Sequence, residues 1–200
     1  FSRPGMEGRI DYLFIDEAGQ LSLADTLAMS MAATNIVLLG DPQQLPQIQQ
    51  GLHPEGAGRS ALEHLLGDAA TVPEDRGIFL ERSFRMHPDV CRYVSELAYD
   101  RRLRSAAVCE RQAVASAGLR GAGLRWLSVE HQGNAQASRE EAEAIAQEVV
   151  RLLDGGMFTN VEAVSRALRP EDIMIVAPYN MQVRVLQERV PDGVEVGTVD

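Results

Sequence analysis

Lysine is absent from this sequence of 200 residues, in which all 19 cationic side chains are arginines. A phosphate-binding loop of the form GxxxxGK[ST] needs its lysine to reach the β- and γ-phosphates of a nucleotide. The composition therefore excludes such a loop from these residues. The formal net charge is −10, and this acidic balance argues against a protein that grips nucleic acid through a broad basic surface.

Cysteine and histidine are also scarce. Cys91 and Cys109 lie outside any CxxC spacing, and the four histidines are scattered. Zinc sites need clustered Cys and His ligands, so no zinc pattern is present. We expect both cysteines to be ordinary small side chains in a reducing compartment. We expect His87, next to Pro88, to anchor a turn.

Long apolar runs are missing as well. A membrane-spanning helix needs about 18 or more apolar residues, so we expect no membrane span. The first residues do not show the charged and then apolar pattern of a signal peptide, and we expect a cytoplasmic protein. The sequence begins at Phe1 without a methionine and ends at Asp200 directly after a strand-like run. We therefore expect a fragment of a longer protein.

The first part of the chain alternates short apolar runs with a helical pattern. Ile10–Ile15 is predicted to be a strand buried on both faces, residues 21–33 a helix, and residues 36–39 a second strand. This alternation indicates an α/β fold with a parallel sheet flanked by helices. Residues 42–59 contain three prolines and three glycines, which predicts a loop, and residues 60–66 predict a short helix.

A second unit is predicted to start near Glu74, which divides the chain into residues 1–73 and 74–200. In the second unit we expect Trp126 to lie in the core. The predicted strands are residues 77–80, 124–129, 173–177 and 194–199, and the predicted helices start at Pro88, after the capping residue Ser138 and after the PYNMQ cluster. On the first of these helices Val90, Tyr93, Val94 and Leu97 share one face.

Most of the short polar clusters directly follow a strand-like run. They are DEAGQ, GDPQQLP, SFRMHP and PYNMQ. Thr198 and Asp200 lie likewise at the end of the last strand-like run. In an open parallel sheet the carboxyl ends of the strands line the ligand crevice. The recurrence predicts a site at these strand ends, or a crevice shared by two sheets.

The first two clusters carry groups suited to phosphate chemistry. Asp16 at the end of a buried strand can hold Mg²⁺ against nucleotide phosphates, and the adjacent Glu17 can polarise an attacking water. A solvated turn is the alternative for this pair of carboxylates. Gln44 offers an amide suited to a γ-phosphate or its attacking water, on a loop stiffened by Pro42 and Pro46.

Arg85, between Phe84 and Met86, allows two interpretations. One is a structural ion pair. The other is an arginine finger, a guanidinium that neutralises charge on the transferring phosphoryl group.

Taken in order, these motifs resemble those of a known family. DEAGQ, GDPQQLP and ERSFRMHPDVCRYVSELAYDRRL look like motifs II, III and IV of superfamily 1 helicases, in the up-frameshift/Dna2-like branch. IMIVAPYNMQVRVLQ resembles the segment before motif V in that branch, and VGTVD resembles the start of motif V. The resemblance covers nearly the whole chain. A weaker similarity is to bacterial members that carry a RecB-like nuclease domain upstream.

The resemblance implies parts of two RecA-like P-loop NTPase domains: residues 1–73 would be the latter half of the first domain, and residues 74–200 most of the second. The roles it implies are those of a nucleotide site. Asp16 would hold Mg²⁺, Glu17 would act as the base, Gln44 would sense the γ-phosphate, Arg85 would be the finger, and Asp41 and Phe84 would lie at the nucleotide. Phe84 stands where the family often has tyrosine, so a hydroxyl contact is lost, and Gln47 stands where a second proline is common.

The resemblance also places Tyr179, Gln182 and Thr198 near a groove that binds a single strand. Such motors hold the strand largely through backbone amides, hydroxyls and stacking, which a negative net charge permits. Core packing is the alternative for Tyr179, and an internal hydrogen-bond partner is the alternative for Thr198.

The leading hypothesis is a fragment of an ATP-dependent helicase or translocase that moves on single-stranded DNA or RNA, with ATP and Mg²⁺ as cofactors. Walker A, motif Ia and motif VI are absent, so we expect the segment alone to be inactive. Two alternatives stay open. The parent protein could be an ATPase switch that clamps nucleic acid, or a non-catalytic nucleic-acid-binding module that retains helicase motifs.

Overall fold

The computed structural model describes residues 5–44 and 56–199. The chain separates into two compact units. Unit 1 comprises Phe1–Glu81 and Ser95–Arg102, and unit 2 comprises Arg82–Val94 and Leu103–Asp200. That the two units are parts of two RecA-like domains with a boundary near Glu74 stays a prediction.

Unit 1 is built on two parallel strands, β1 (Ile10–Ile15) and β2 (Ala33–Leu38), aligned from Ile10 opposite Ala33 to Ile15 opposite Leu38. Helix α1 (Leu23–Ser30) connects them in sequence and starts where the Ser22 hydroxyl accepts a hydrogen bond from the Asp25 N–H. This β-α-β order confirms the α/β prediction for this part of the chain.

Helix α2 (Ala61–Leu66) begins at a capping box, in which Ser60 and Glu63 each accept a hydrogen bond from the other's backbone N–H. The predicted short helix is therefore confirmed. Prolines 46 and 54 of the predicted loop, together with Gln47, lie outside the described residues.

The core of unit 1 lies on one face of its sheet. Leu13, Ile15 and Ala18 are buried against Met29 of α1 and Leu62 of α2. The side chains that alternate with them point the other way, and Tyr12 is 60% exposed and Phe14 64%. Strand β1 was thus predicted with the right bounds, but burial on both faces was wrong, because α1 and α2 pack on the Leu13 face.

Unit 2 starts with β3 (Arg82–Ser83), which pairs in parallel with β4 (Arg104–Ser105). Between them runs helix α3 (Pro88–Ala98), whose last four residues belong to unit 1. A 3-10 helix, Ala107–Arg111, follows β4.

The rest of unit 2 holds two small sheets and two helices. The antiparallel sheet has the order β5-β6-β7, and the parallel pair is β8 and β9. The strands are β5 (Ala113–Ala115), β6 (Met157–Thr159), β7 (Ser165–Ala167), β8 (Met174–Val176) and β9 (Glu195–Gly197), the helices are α4 (Arg139–Leu153) and α5 (Asn180–Gln187), and a 3-10 turn spans Pro170–Asp172.

The core of unit 2 joins α4, α5 and the β8–β9 pair. Ala142, Ala177, Val183 and Leu186 are buried together, with Ile175 among the residues packed against them. The helices and strands that the sequence predicts over residues 139–199 are therefore confirmed. Their ends differ by up to three residues, since α5 starts at Asn180, inside the PYNMQ cluster.

Three predictions in the second half are wrong. Residues 77–80 and 124–129 form no strand, and Ile78 is 87% exposed. Trp126, expected in the core, is 92% exposed. The helix predicted from Pro88 is confirmed as α3, on which Tyr93 and Leu97 are exposed whereas Cys91 and Ser95 are buried. The segments 77–80 and 124–129 are rich in apolar residues, but a strand also needs a neighbouring strand whose backbone N–H and C=O groups pair with its own.

Candidate active site

The DEAGQ and GDPQQ clusters lie side by side at the carboxyl ends of β1 and β2. The two strands are parallel, with Ile15 opposite Leu38, so the residues that follow them leave the sheet at the same edge. The Leu39 N–H donates to the Ile15 carbonyl at 2.8 Å, and the Ala18 N–H donates to the Leu39 carbonyl at 2.9 Å. Two backbone hydrogen bonds thus tie the clusters together beyond the last aligned strand pair.

Two glycines allow this close approach. A Cβ atom on Gly19 would lie 2.3 Å from the Asp41 carbonyl oxygen, far inside van der Waals contact. A Cβ atom on Gly40 would lie 2.8 Å from the Ala18 nitrogen, and Gly40 has a φ of +155°, which L side chains rarely adopt. Residues with side chains at these positions would force the two loops apart.

Asp16 and Glu17 both point toward solvent at this edge. The Glu17 N–H donates to Asp16 Oδ1 at 3.0 Å, and both residues are exposed. Glu17 has a φ of +51°, a left-handed conformation that costs free energy for a residue with a side chain. A strained conformation persists only where the surrounding structure holds it, and such residues are found most often at functional sites.

Gln44 lies near a second glutamine. Its Oε1 atom accepts a hydrogen bond from Gln20 Nε2 at 3.5 Å, and its N–H donates to the Asp41 carbonyl at 3.4 Å. Both glutamine side chains are exposed. Gln20 was not predicted as a site residue, although it ends the same polar cluster as Asp16.

Asp41 uses both carboxylate oxygens inside unit 1. Oδ1 accepts a hydrogen bond from the Gln43 N–H at 2.9 Å, and Oδ2 accepts one from the Tyr99 hydroxyl. Burial, and then the hydrogen bond and charge of Asp41, raise the pKa of the Tyr99 hydroxyl above its usual value. Tyr99 was also missed, because 58 residues separate it from Asp41 and no local pattern connects them.

Mg²⁺ fits the groups at this edge. The described part of the chain contains no cluster of three or more His, Cys, Asp or Glu side chains that could form a cage around a metal ion. Mg²⁺ keeps several waters and is commonly held by one or two carboxylates together with substrate phosphates. The exposed carboxylate of Asp16 is a donor of that kind.

Phe84 and Arg85 follow β3 in unit 2, and both are exposed. The Arg85 N–H donates to Ser83 Oγ at 3.3 Å, and its carbonyl accepts from Gln112 Nε2 at 3.3 Å. These contacts fix the backbone only. Across the described ranges, 5–44 and 56–199, the Arg85 guanidinium forms no ion pair. The choice between a structural and a catalytic role stays a prediction.

The turn after Arg85 is held by its own polar groups. His87 Nδ1 accepts a hydrogen bond from the Asp89 N–H at 3.2 Å, at the start of α3. The Ser105 hydroxyl donates to the Met86 carbonyl at 2.7 Å. The expectation that His87 anchors this turn is confirmed.

Tyr179 and Thr198 follow neighbouring strands of unit 2. Strands β8 and β9 are parallel, with Val176 opposite Gly197, and the Ala177 N–H donates to the Gly197 carbonyl at 3.0 Å. Both residues therefore lie at one edge of this pair. Tyr179 is 47% exposed and Thr198 is half-buried, so the Tyr179 ring does not lie fully in the core.

The structure speaks against Gln182 as a nucleic-acid contact. The residue is 6% exposed. Its Oε1 atom accepts a hydrogen bond from the Ser138 N–H at 2.7 Å, and its Nε2 atom donates to the Ser138 carbonyl at 3.2 Å. Both ends of the amide are thus bound inside unit 2 and the side chain is buried, so Gln182 is not among the nucleic-acid contacts proposed below.

Comparison with known proteins gives one family match and several similar proteins. Residues 57–200 match the protein family described as AAA domain. Over 94% of its length the chain is 28% identical to the 3'-5' exoribonuclease HELZ2 of Mus musculus, and over 98% it is 27% identical to the DNA replication ATP-dependent helicase/nuclease DNA2 of Gallus gallus. It is 24% identical over 97% of its length to the DNA-binding protein SMUBP-2 of Mesocricetus auratus.

The chain spans only 6% of the length of the mouse protein, 18% of the chicken protein and 20% of the hamster protein. No helix in the described ranges is long and apolar enough to cross a membrane. The family match extends over more than half of the chain. The chain therefore belongs to the AAA domain family, and the similar proteins include one named as a helicase/nuclease.

Proposed function

We propose that this chain is part of an ATP-dependent helicase or translocase that moves on single-stranded DNA or RNA. The observation that carries the proposal is the pairing of β1 and β2, which places Asp16 and Glu17 beside the loop that bears Gln44. Two carboxylates and an amide at one strand edge are among the groups that hydrolysis of a nucleoside triphosphate uses, for the metal ion and for the attacking water.

Each residue of this edge has a distinct proposed role. Asp16 holds Mg²⁺, which supplies charge neutralisation at the phosphates. Glu17 accepts a proton from the attacking water. Gln44 contacts the γ-phosphate or that water, and the hydrogen bond from Gln20 orients its amide. The phosphate-binding lysine of a Walker A loop has to come from outside these residues, since the sequence contains none.

For Arg85 we propose the role of an arginine finger. Its guanidinium is exposed and its backbone is fixed by Ser83 and Gln112. A fixed backbone with an uncommitted cation is suited to stabilising charge that develops on a phosphoryl group. The exposed ring of Phe84 can pack near the nucleotide.

For the nucleic acid we propose contacts with Tyr179 and Thr198. Both residues follow the parallel strands β8 and β9 at the same edge. A half-exposed aromatic ring offers a stacking surface to a base, and a hydroxyl can bond the sugar-phosphate backbone. Contacts of this kind do not need a broad basic surface, which the net charge of −10 argues against.

The substitution Glu17→Gln tests the hydrolytic role in the full-length protein. We expect ATP hydrolysis to be lost while ATP binding is retained, because the amide keeps the shape of the side chain but cannot accept the proton. Glu96→Gln, at an exposed position of α3, is the matched control and should hydrolyse ATP normally. Near-normal hydrolysis by Glu17→Gln would overturn the proposal. A strand-displacement assay beside a DNA-stimulated ATPase assay separates a helicase from an ATPase that only clamps nucleic acid.

A further inference from the structure

Tyr99 contacts the Gln44-bearing loop from a distant part of the sequence. It directly follows the last residue of α3 and belongs to unit 1. Its hydroxyl donates a hydrogen bond to Asp41 Oδ2. Tyr99 is half-buried, so water competes less for this hydrogen bond than it would at an exposed position.

The backbone around Tyr99 is held in an unusual turn. The N–H groups of Tyr99 and Arg101 both donate to the Ser95 carbonyl at 3.0 Å, and the Arg102 N–H donates to the Tyr99 carbonyl at 2.8 Å. Asp100 and Arg101 have φ values of 51° and 63°. Two consecutive non-glycine residues in the left-handed region cost free energy, so surrounding contacts must maintain the turn.

Arg102 supplies such contacts. Its Nη1 atom donates to Thr71 Oγ1 at 3.0 Å and to the Val72 carbonyl at 3.3 Å. Its guanidinium carbon lies 4.8 Å from the centroid of the Phe79 ring, and the Phe79 and Tyr99 ring centroids are 6.1 Å apart. The Arg102 guanidinium thus holds the Phe79 ring, and the Phe79 ring packs against the Tyr99 ring. These contacts fix the direction in which the Tyr99 hydroxyl points.

Asp41 connects the Tyr99 hydroxyl to the loop that bears Gln43 and Gln44. While Oδ2 accepts from Tyr99, Oδ1 accepts from the Gln43 N–H at 2.9 Å, and the Asp41 carbonyl accepts from the Gln44 N–H at 3.4 Å. A carboxylate bound on both oxygens cannot rotate freely. Its orientation therefore sets the turn in which Gln43 and Gln44 lie.

We propose that Tyr99 is a positioning residue for the hydrolytic site: by orienting the Asp41 carboxylate it sets the conformation of the loop that presents Gln44. The inference rests on the proposed function of Gln44 at the γ-phosphate. The pKa of the Tyr99 hydroxyl is raised by burial and by Asp41, so the hydroxyl remains a proton donor at neutral pH. Tyr99 itself touches neither nucleotide nor water in this role.

The substitution Tyr99→Phe tests the proposal, because it removes the hydroxyl and keeps the ring. In the full-length protein we expect kcat for ATP hydrolysis to fall by about tenfold with KM for ATP changed by less than about twofold. In hydrogen exchange we expect the Gln43 amide to exchange at least about fivefold faster, while the Ala18 amide, bonded to the Leu39 carbonyl, keeps its rate. Tyr93→Phe, at an exposed position of α3, is the matched control and should change none of these values.

Glu17→Gln is measured beside Tyr99→Phe, to separate the positioning role of Tyr99 from the proposed hydrolytic function. If Glu17→Gln abolishes hydrolysis and Tyr99→Phe keeps the kcat of Tyr93→Phe, the positioning role is overturned and the hydrolytic role stands. If Glu17→Gln hydrolyses ATP normally, the proposed function fails, and exchange at Gln43 still decides whether Tyr99 holds the loop. Equal acceleration of exchange at Gln43 and Ala18 would show general destabilisation and would overturn the positioning role.

Discussion

Gln182 and Ser138 are joined by two hydrogen bonds that use both ends of one side-chain amide. The Ser138 N–H donates to Oε1 at 2.7 Å and the Ser138 carbonyl accepts from Nε2 at 3.2 Å. Ser138 caps helix α4, its hydroxyl accepting from the Glu141 N–H at 3.1 Å, and Gln182 lies on α5. The amide therefore fastens the start of α4 to α5, in the core of unit 2.

We predict that Gln182→Ala destabilises unit 2 by about 2 kcal/mol, mostly because the buried Ser138 N–H loses its acceptor. The Ser138 carbonyl keeps a partner, since it also accepts from the Ala142 N–H at 3.2 Å. The midpoint of urea unfolding measures the effect. Gln147→Ala is the control, because this exposed amide of α4 hydrogen-bonds only to Glu143 among the described residues, and we expect a loss of a few tenths of a kcal/mol. An unchanged midpoint with weaker binding of single-stranded DNA would instead support the nucleic-acid role.

The two hydrogen bonds between Gln182 and Ser138 show what the sequence could and could not predict. Val183 and Leu186 lie three residues apart on α5 and are both buried, as expected for apolar side chains at a spacing that shares one helical face. The same spacing carries no information about a polar side chain buried between them. Gln182 has a partner 44 residues away, and such a pairing depends on how α4 and α5 pack.

We predict that Gly19→Ala separates the DEAGQ and GDPQQ loops. The new Cβ atom would lie 2.3 Å from the Asp41 carbonyl oxygen, a backbone atom that cannot move without shifting the loop. We expect a loss of about 1–3 kcal/mol in the free energy of unfolding, as for other overpacked sites, together with loss of ATP hydrolysis in the full-length protein.

The control for this prediction is Gly197→Ala in strand β9. A Cβ atom at Gly197 has no heavy atom within 4 Å outside its chain neighbours, so we expect little change in stability. Urea unfolding and steady-state ATP hydrolysis check both variants. Equal stability of the two variants would contradict the close approach of the loops.

The adjacency of these two loops was largely predictable. Two short apolar runs separated by a helical stretch indicate parallel strands, whose carboxyl ends meet at one edge. The strands predicted at residues 77–80 and 124–129 did not form. Apolar residues in these segments, such as Ile78 and Trp126, are exposed, and no neighbouring strand pairs with either segment in the described structure. Composition identifies a segment that can form a strand, and only the neighbouring segment decides whether it does.

We predict that Arg85→Ala lowers kcat for ATP hydrolysis in the full-length protein by about 10³-fold or more, the range seen when an arginine finger is removed. The stability of unit 2 should change little, because the described contacts of Arg85 use its backbone and not its guanidinium. Steady-state hydrolysis and thermal unfolding measure the two effects separately.

Arg82→Ala removes an exposed cation three residues earlier, on β3, and serves as the control. We expect near-normal hydrolysis from this variant. If both variants lose the same activity, the effect of Arg85 would come from general positive charge and not from a positioned guanidinium.

We predict that Asp172 contributes stability that is lost in acid. Its carboxylate accepts two hydrogen bonds from Arg166, at 2.5 and 2.6 Å, and one from the Arg169 N–H at 2.9 Å. Arg166 first, and then the Arg169 N–H, lower the pKa of Asp172 to about 2. Because the folded-state pKa lies below the unfolded value of about 3.9, the contribution is fully present above about pH 4 and is lost as the pH falls toward 2.

Asp172→Asn removes the charge and should abolish this part of the pH dependence. The measurement is the unfolding temperature of both proteins at pH values from about 6 to 2: the wild type should be the more stable near pH 6, and the difference should shrink through the window set by the two pKa values. Asp192→Asn, an exposed position outside the Arg166 pair, should keep the wild-type slope. A constant difference across the whole range would mean that Asp172 acts through its shape and not through its charge.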